Sequence, residues 1–103
     1  MAKRTLYFGP WNGFYTPSRF DAFVKKEVAA RISQLGLVNT CNLEEGEKTT
    51  LYHFPGAGIG LEYMLVSEYR CMVNLMGSRQ ESMDAVQLLI WQEDNKKDQR
   101  SKQ

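Results

Sequence analysis

Histidine, cysteine, net charge and long apolar runs are all scarce in this chain of 103 residues, and each scarcity removes a class of function. One histidine, His53, and two cysteines, Cys41 and Cys71, thirty positions apart and outside any CxxC pair, fall short of an ordinary structural zinc site, so no metal and no cofactor is expected. Lys and Arg number 13 against 12 Asp and Glu, a net charge of +1, so no global field draws the chain to nucleic acid or an anionic membrane. The longest purely apolar stretches, Met64 to Val66 and Leu88 to Trp91, are far short of the ~20 residues that span a bilayer. The basic opening Met1-Ala2-Lys3-Arg4 leads into Gly9, Pro10 and Asn12 instead of a secretory apolar segment. A cytoplasmic protein with two reduced, buried thiols is expected, a disulfide being the alternative.

What the chain does hold suffices for one core. Hydrophobic residues make up 43% and aromatics 12%, and a chain of this size removes about two-thirds of its unfolded surface from water. That burial offsets the conformational entropy that keeps sparse, highly charged chains unfolded. A single α+β domain over 1–94 is expected, followed by a wholly polar, disordered tail over 95–103.

Thr5 to Phe8 combines β-branched and aromatic types and stops at Gly9-Pro10, which predicts a first strand. A long amphipathic helix is expected over about 17–35. Thr16 or Ser18 can cap it, Pro17 suits its first turn, and Ser18-x-x-Asp21 resembles a capping box. Phe20, Phe23, Val24, Val28, Ile32 and Leu35 then recur at spacings of three and four, forming one apolar stripe. Asp21 with Lys25 and Glu27 with Arg31 place acid before base on the wet side. Gly36 supplies a left-handed stop, with Leu37 reaching back to Ile32.

Residues 39–47 are polar and turn-rich, so at least their end is a loop. Thr49 to Phe54 reads as a second strand, halted by the glycine-rich run from Pro55 to Gly60. From Leu61 to Met76 the odd positions hold Leu61, Tyr63, Leu65, Cys71, Val73 and Leu75, whereas Glu62, Glu68, Arg70 and Asn74 fall on even ones. That alternation predicts strand, and its length predicts a bend or hairpin near Ser67 to Arg70. Ser78-Arg79-Gln80-Glu81 is a second capping-box candidate, opening a helix near 79–92. Leu88 and Trp91 fall outside its Met83, Val86, Leu89 and Ile90 face. Either the helix has a second apolar side, or Val86 to Gln92 is another strand. The fold class is α+β: a three- to five-stranded, mostly antiparallel sheet with two helices.

Three aromatics and an arginine surround the start of the first helix: Trp11, Phe14, Tyr15, Ser18 and Arg19 form the leading candidate site. Helix N-termini present free amides and a partial positive charge, the rings can stack on a base or a partner, and Arg19 can clamp an anion. The alternative is that the rings fold back onto the core and Ser18 satisfies the cap. Gly56-x-Gly58-x-Gly60 lacks the strand-before, helix-after context of a phosphate loop and reads as a flexible hairpin turn. His53 is either structural or the base of a small active site beside Cys41, Cys71 or a serine. Glu44, Glu45 and Glu47 read as solvated. Asp98 interrupts the tail's Lys96, Lys97, Arg100 and Lys102, which weakens a nucleic-acid arm.

A short chain with one core, no reaction signature and spare aromatic surface is expected to be a non-enzymatic binding module. The compact inhibitors that phages direct against host defences share this general character. It would occupy a protein partner's surface or sequester a nucleotide-like ligand, with Trp and Tyr as anchors. Single-stranded nucleic-acid binding and a small enzyme using His53 are the alternatives. Leu88 and Trp91 are the candidate interface of a homodimer.

Overall fold

The computed structural model describes residues 2–8, 16–68 and 70–101, the stretch 94–101 as backbone only. Five strands, β1 (Ala2–Phe8), β2 (Asn42–Glu45), β3 (Thr49–Phe54), β4 (Ile59–Ser67) and β5 (Arg70–Gly77), form one antiparallel sheet in the order β1-β5-β4-β3-β2. α1 (Pro17–Phe23) continues through a π-helical turn (Val24–Val28) into α2 (Ala29–Gln34), and α3 (Gln80–Ser101) follows the last strand. The α+β architecture expected from the sequence is the one observed.

The alternating segment folds as a β4–β5 hairpin with its tip at Ser67 and Arg70. A register shift between Leu65 and Ser67 sets odd residues opposite odd ones: Leu65 faces Cys71, Tyr63 faces Val73 and Leu61 faces Leu75. Without that shift β5 would be turned inside out, because one residue of slip exchanges the two faces of a strand. With it, Leu61, Tyr63, Cys71, Val73 and Leu75 are buried together.

Both helices pack on this face. Phe20 stacks on Tyr63 at 4.8 Å and meets Tyr52 edge-on at 5.7 Å, and Met83, Val86 and Ile90 of α3 join the same core. Phe20, Val24, Val28 and Ile32 are spaced by four, and all are fully buried. In a regular α-helix each step of four overshoots a turn by about 40°, so such a stripe would spiral off the sheet. The wider π turn winds it back.

Several local expectations are corrected. Thr16 is the N-cap and Pro17 the first helical residue, and the Thr16 carbonyl accepts the Arg19 and Phe20 amides at 3.1 and 3.2 Å. Ser18 therefore lies inside α1. Asp21 closes no capping box; it accepts the Tyr52 hydroxyl at 2.9 Å and the Lys25 ammonium at 3.0 Å. The helix ends as expected: Gly36 has φ 78, with Leu37 N–H on Ile32 O at 3.2 Å and Gly36 N–H on Ser33 O at 2.9 Å. β2 lies within the polar stretch 39–47, whose end from Gly46 is the loop expected, and β1 begins at Ala2. Val86 to Gln92 is helical, within an α3 that runs on to Ser101. Pro55–Ala57 joins β3 to β4 as the hairpin turn expected, a 3-10 turn that buries Ala57 completely. Among the described residues no helix is long and apolar enough to cross a membrane.

Candidate functional site

The helices cover one face of the sheet, and the register builds the other. Successive side chains of a strand point to opposite faces, so the residues between the buried ones share the outer side. Lys3, Met76, Gly60, His53 and Asn42 form one row across the five strands. Thr5, Asn74, Glu62, Leu51 and Glu44 form the next, and Tyr7, Met72, Met64 and Thr49 a third. Three methionines, Leu51 and Tyr7 stand on this open face among polar and charged residues, and methionine adapts readily to irregular partners.

The middle row is fixed by hydrogen bonds. Thr5 Oγ1 donates to Asn74 Oδ1 at 2.8 Å, and Asn74 Nδ2 donates to Glu62 Oε1 at 2.8 Å. Asn74 is only 3% exposed although it belongs to the open face, and both its amide atoms have partners, as a buried polar group requires. The pair of bonds aims a carboxylate into the centre of the face.

Beside Glu62 the face is hollow. A groove of about 290 Å³ runs between Leu51 and His53 on one side and Met76 and Ser78 on the other, over Gly60. The hollow exists because Gly60 carries no side chain. Its φ is not positive, and an added Cβ would meet nothing closer than the Tyr52 carbonyl at 3.7 Å. Neither backbone conformation nor crowding calls for glycine here. Glycine within a strand weakens it, and one of its uses there is close approach of a ligand or another backbone.

No protein-family model, no curated protein and no solved structure matches this chain. What the surface can do follows from its own geometry alone.

Of the residues singled out from sequence, Trp11, Phe14 and Tyr15 lie outside the described residues. Ser18 and Arg19 are exposed on the first turn of α1. Leu88 and Trp91 are 48% and 50% exposed on α3, so the helix does present apolar groups away from the core. His53 is exposed on the open face, whereas Cys71 and Cys41 pack on the helix side. The sheet separates the imidazole from both thiols. Burial pushes the Cys71 thiol up to about 11, against a lowering contact from Tyr63. Burial also raises Cys41, outweighing the His53 backbone and Lys25. Both sulfurs are held as thiols, the poor nucleophilic form. Both cysteines are free, and no group of three His, Cys, Asp or Glu among the described residues is placed to hold a metal ion. The groove went unread in the sequence because Gly60 sits in a glycine-rich run that resembles a turn, and only cross-strand register sets it between His53 and Met76.

Proposed function

We propose that this chain is a non-enzymatic binding module that occupies the surface of a protein partner through its open sheet face, with the groove over Gly60 taking one apolar side chain. The observation that carries this reading is a glycine in a central strand whose side chain nothing in the fold excludes. The size and chemistry of the groove favour a protein side chain over a nucleotide. Its volume of about 290 Å³ lies at the lower end of small-molecule sites, roughly 300–1,000 Å³. No Lys or Arg lines it for a phosphate. Glu62 beside it, and Glu44 farther along the same row, complement a basic neighbour of the inserted residue.

A random-peptide selection against the immobilised full chain tests this. Enriched peptides should pair an apolar residue with a basic one, bind the unaltered chain, and lose at least tenfold in affinity against Gly60→Val, whose side chain fills the groove. Equal binding to Gly60→Val would remove the groove from the function. Calorimetric titration with nucleotides, with Arg19→Ala as control, distinguishes the other ligand class: binding abolished by Arg19→Ala would move the site to the start of α1.

A further inference from the structure

We propose that two copies of this chain join edge to edge through β1, antiparallel and centred on Thr5, into one continuous sheet whose two open faces point the same way. The sheet has two edges, and they differ. β2 is four residues long and carries Glu44 and Glu45, with Glu47 just beyond. Such a short, acidic edge resists pairing with itself. β1 is seven residues long and contains no acid. All seven pair with β5 on one side, and the outer side faces no other described strand.

Exposed aromatic groups border this edge on both faces. On the open face Tyr7 is 73% exposed. On the helix face Arg4 of β1 reaches Asp84 at 2.8 Å and Gln87 at 2.6 Å. Those two residues lie on the same side of α3 as Leu88 and Trp91, since positions 84, 87, 88 and 91 share one helical stripe. The stripe that touches β1 therefore also presents Trp91 and Leu88 beside it.

A two-fold axis normal to the sheet keeps each residue on its own face, so opposed positions must both be odd or both even. Centring on Thr5 sets Lys3 opposite Tyr7 and Arg4 opposite Leu6 of the second copy. A shift to centre on Arg4 would set two arginines against each other. In the Thr5 register each Lys3 ammonium meets a Tyr7 ring, a favourable cation–π pair made twice, and the two α3 helices come together through Trp91 and Leu88. Both Gly60 grooves then open on one side, so a partner with two anchors gains from effective concentration.

Sedimentation equilibrium of the full chain, at concentrations up to on the order of 100 µM, reads the assembly directly. A concentration-dependent dimer is expected. Tyr7→Lys sets like charges opposite each other at two symmetric positions and should weaken the dimer by about fivefold or more. The double variant Lys3→Glu with Tyr7→Lys makes both opposed pairs attractive and should restore it. Trp91→Glu should weaken it as well, with the fold of each variant checked by circular dichroism. Gly60→Val should dimerise like the unaltered chain, so failure of the groove and failure of the edge are scored separately. A monomer at every concentration, a dimer indifferent to both Tyr7→Lys and Trp91→Glu, or a double variant that restores nothing would each overturn the proposal.

Discussion

The hydroxyl of Tyr52 donates to Asp21 Oδ1 at 2.9 Å while Lys25 approaches Oδ2 at 3.0 Å, so one carboxylate joins β3 to the first helix. Tyr52 is otherwise buried against Phe20, and Tyr52→Phe removes the bond but keeps the ring. The expected loss is about 1 kcal/mol, the usual net worth of such a bond. It should appear as a lower urea midpoint with an unchanged slope. An unchanged midpoint would mean that water serves Asp21 as well as the phenol does.

Stability should fall on the alkaline side. Burial pushes Cys71 from 9.0 up to about 11 and raises Tyr52 and Tyr63 above the ordinary phenol value of 10.0, with Asp21 adding to the Tyr52 shift and Cys71 to that of Tyr63. Each group ionises more readily in the unfolded chain, so its contribution is intact below the unfolded value and is lost as pH rises toward the folded one. The urea midpoint should therefore hold to about pH 9 and then drop. In Cys71→Ala the part of that drop between about 9 and 11 should shrink to what Cys41, also raised by burial, contributes, while the tyrosine part above about 10 persists. A midpoint level through this range would show that these groups ionise equally well folded and unfolded.

Sequence alone made the first helix and the β4–β5 hairpin legible because their burial patterns are dense. Phe20 to Ile32 repeats at helical spacing, and Leu61 to Leu75 alternates with charged partners. β2 was illegible for the opposite reason: all four of its residues are exposed, and only backbone pairing with β3 places it. Asp21 misled because a capping carboxylate and one bound to a distant tyrosine look alike until β3 is in place. Met64, Met72 and Met76 share the even positions with Glu62 and Asn74 and lie on the open face, where hydrophobicity alone would not place them.

Asn74 should prove costly to replace. It is buried between Thr5 and Glu62 and bonded to both, so Asn74→Ala leaves two polar groups without their partner and should lose roughly 1–3 kcal/mol. Asn74→Asp offers a sharper test, because it would place a carboxylate where the amide now donates to Glu62. Repulsion should destabilise this variant at neutral pH, and acidification should relieve it as one carboxyl takes a proton. The gap in urea midpoint between Asn74→Asp and the unaltered chain should narrow from pH 7 to about pH 4. A gap that stays constant would mean that the two carboxyl groups turn away from each other.

Gly60 and Gly77 lie near each other on neighbouring strands and should respond oppositely to alanine. A Cβ on Gly77 would sit 2.5 Å from the Gly58 carbonyl and 3.0 Å from Ile59 Cγ2, both on the packed side, so Gly77→Ala should lose about 1–3 kcal/mol through strain. A Cβ on Gly60 has room, with its nearest neighbour at 3.7 Å, and removes the entropic penalty of glycine in a strand. Gly60→Ala should therefore raise stability by about 0.5–1 kcal/mol. Thermal midpoints of the two variants, measured side by side, decide the matter. A stabilising replacement that also weakens binding of the selected peptides would show that the hollow serves recognition at a cost to the fold. If Gly60→Ala destabilises the chain, glycine is there for the fold, and the principal support for a binding groove at that position is gone.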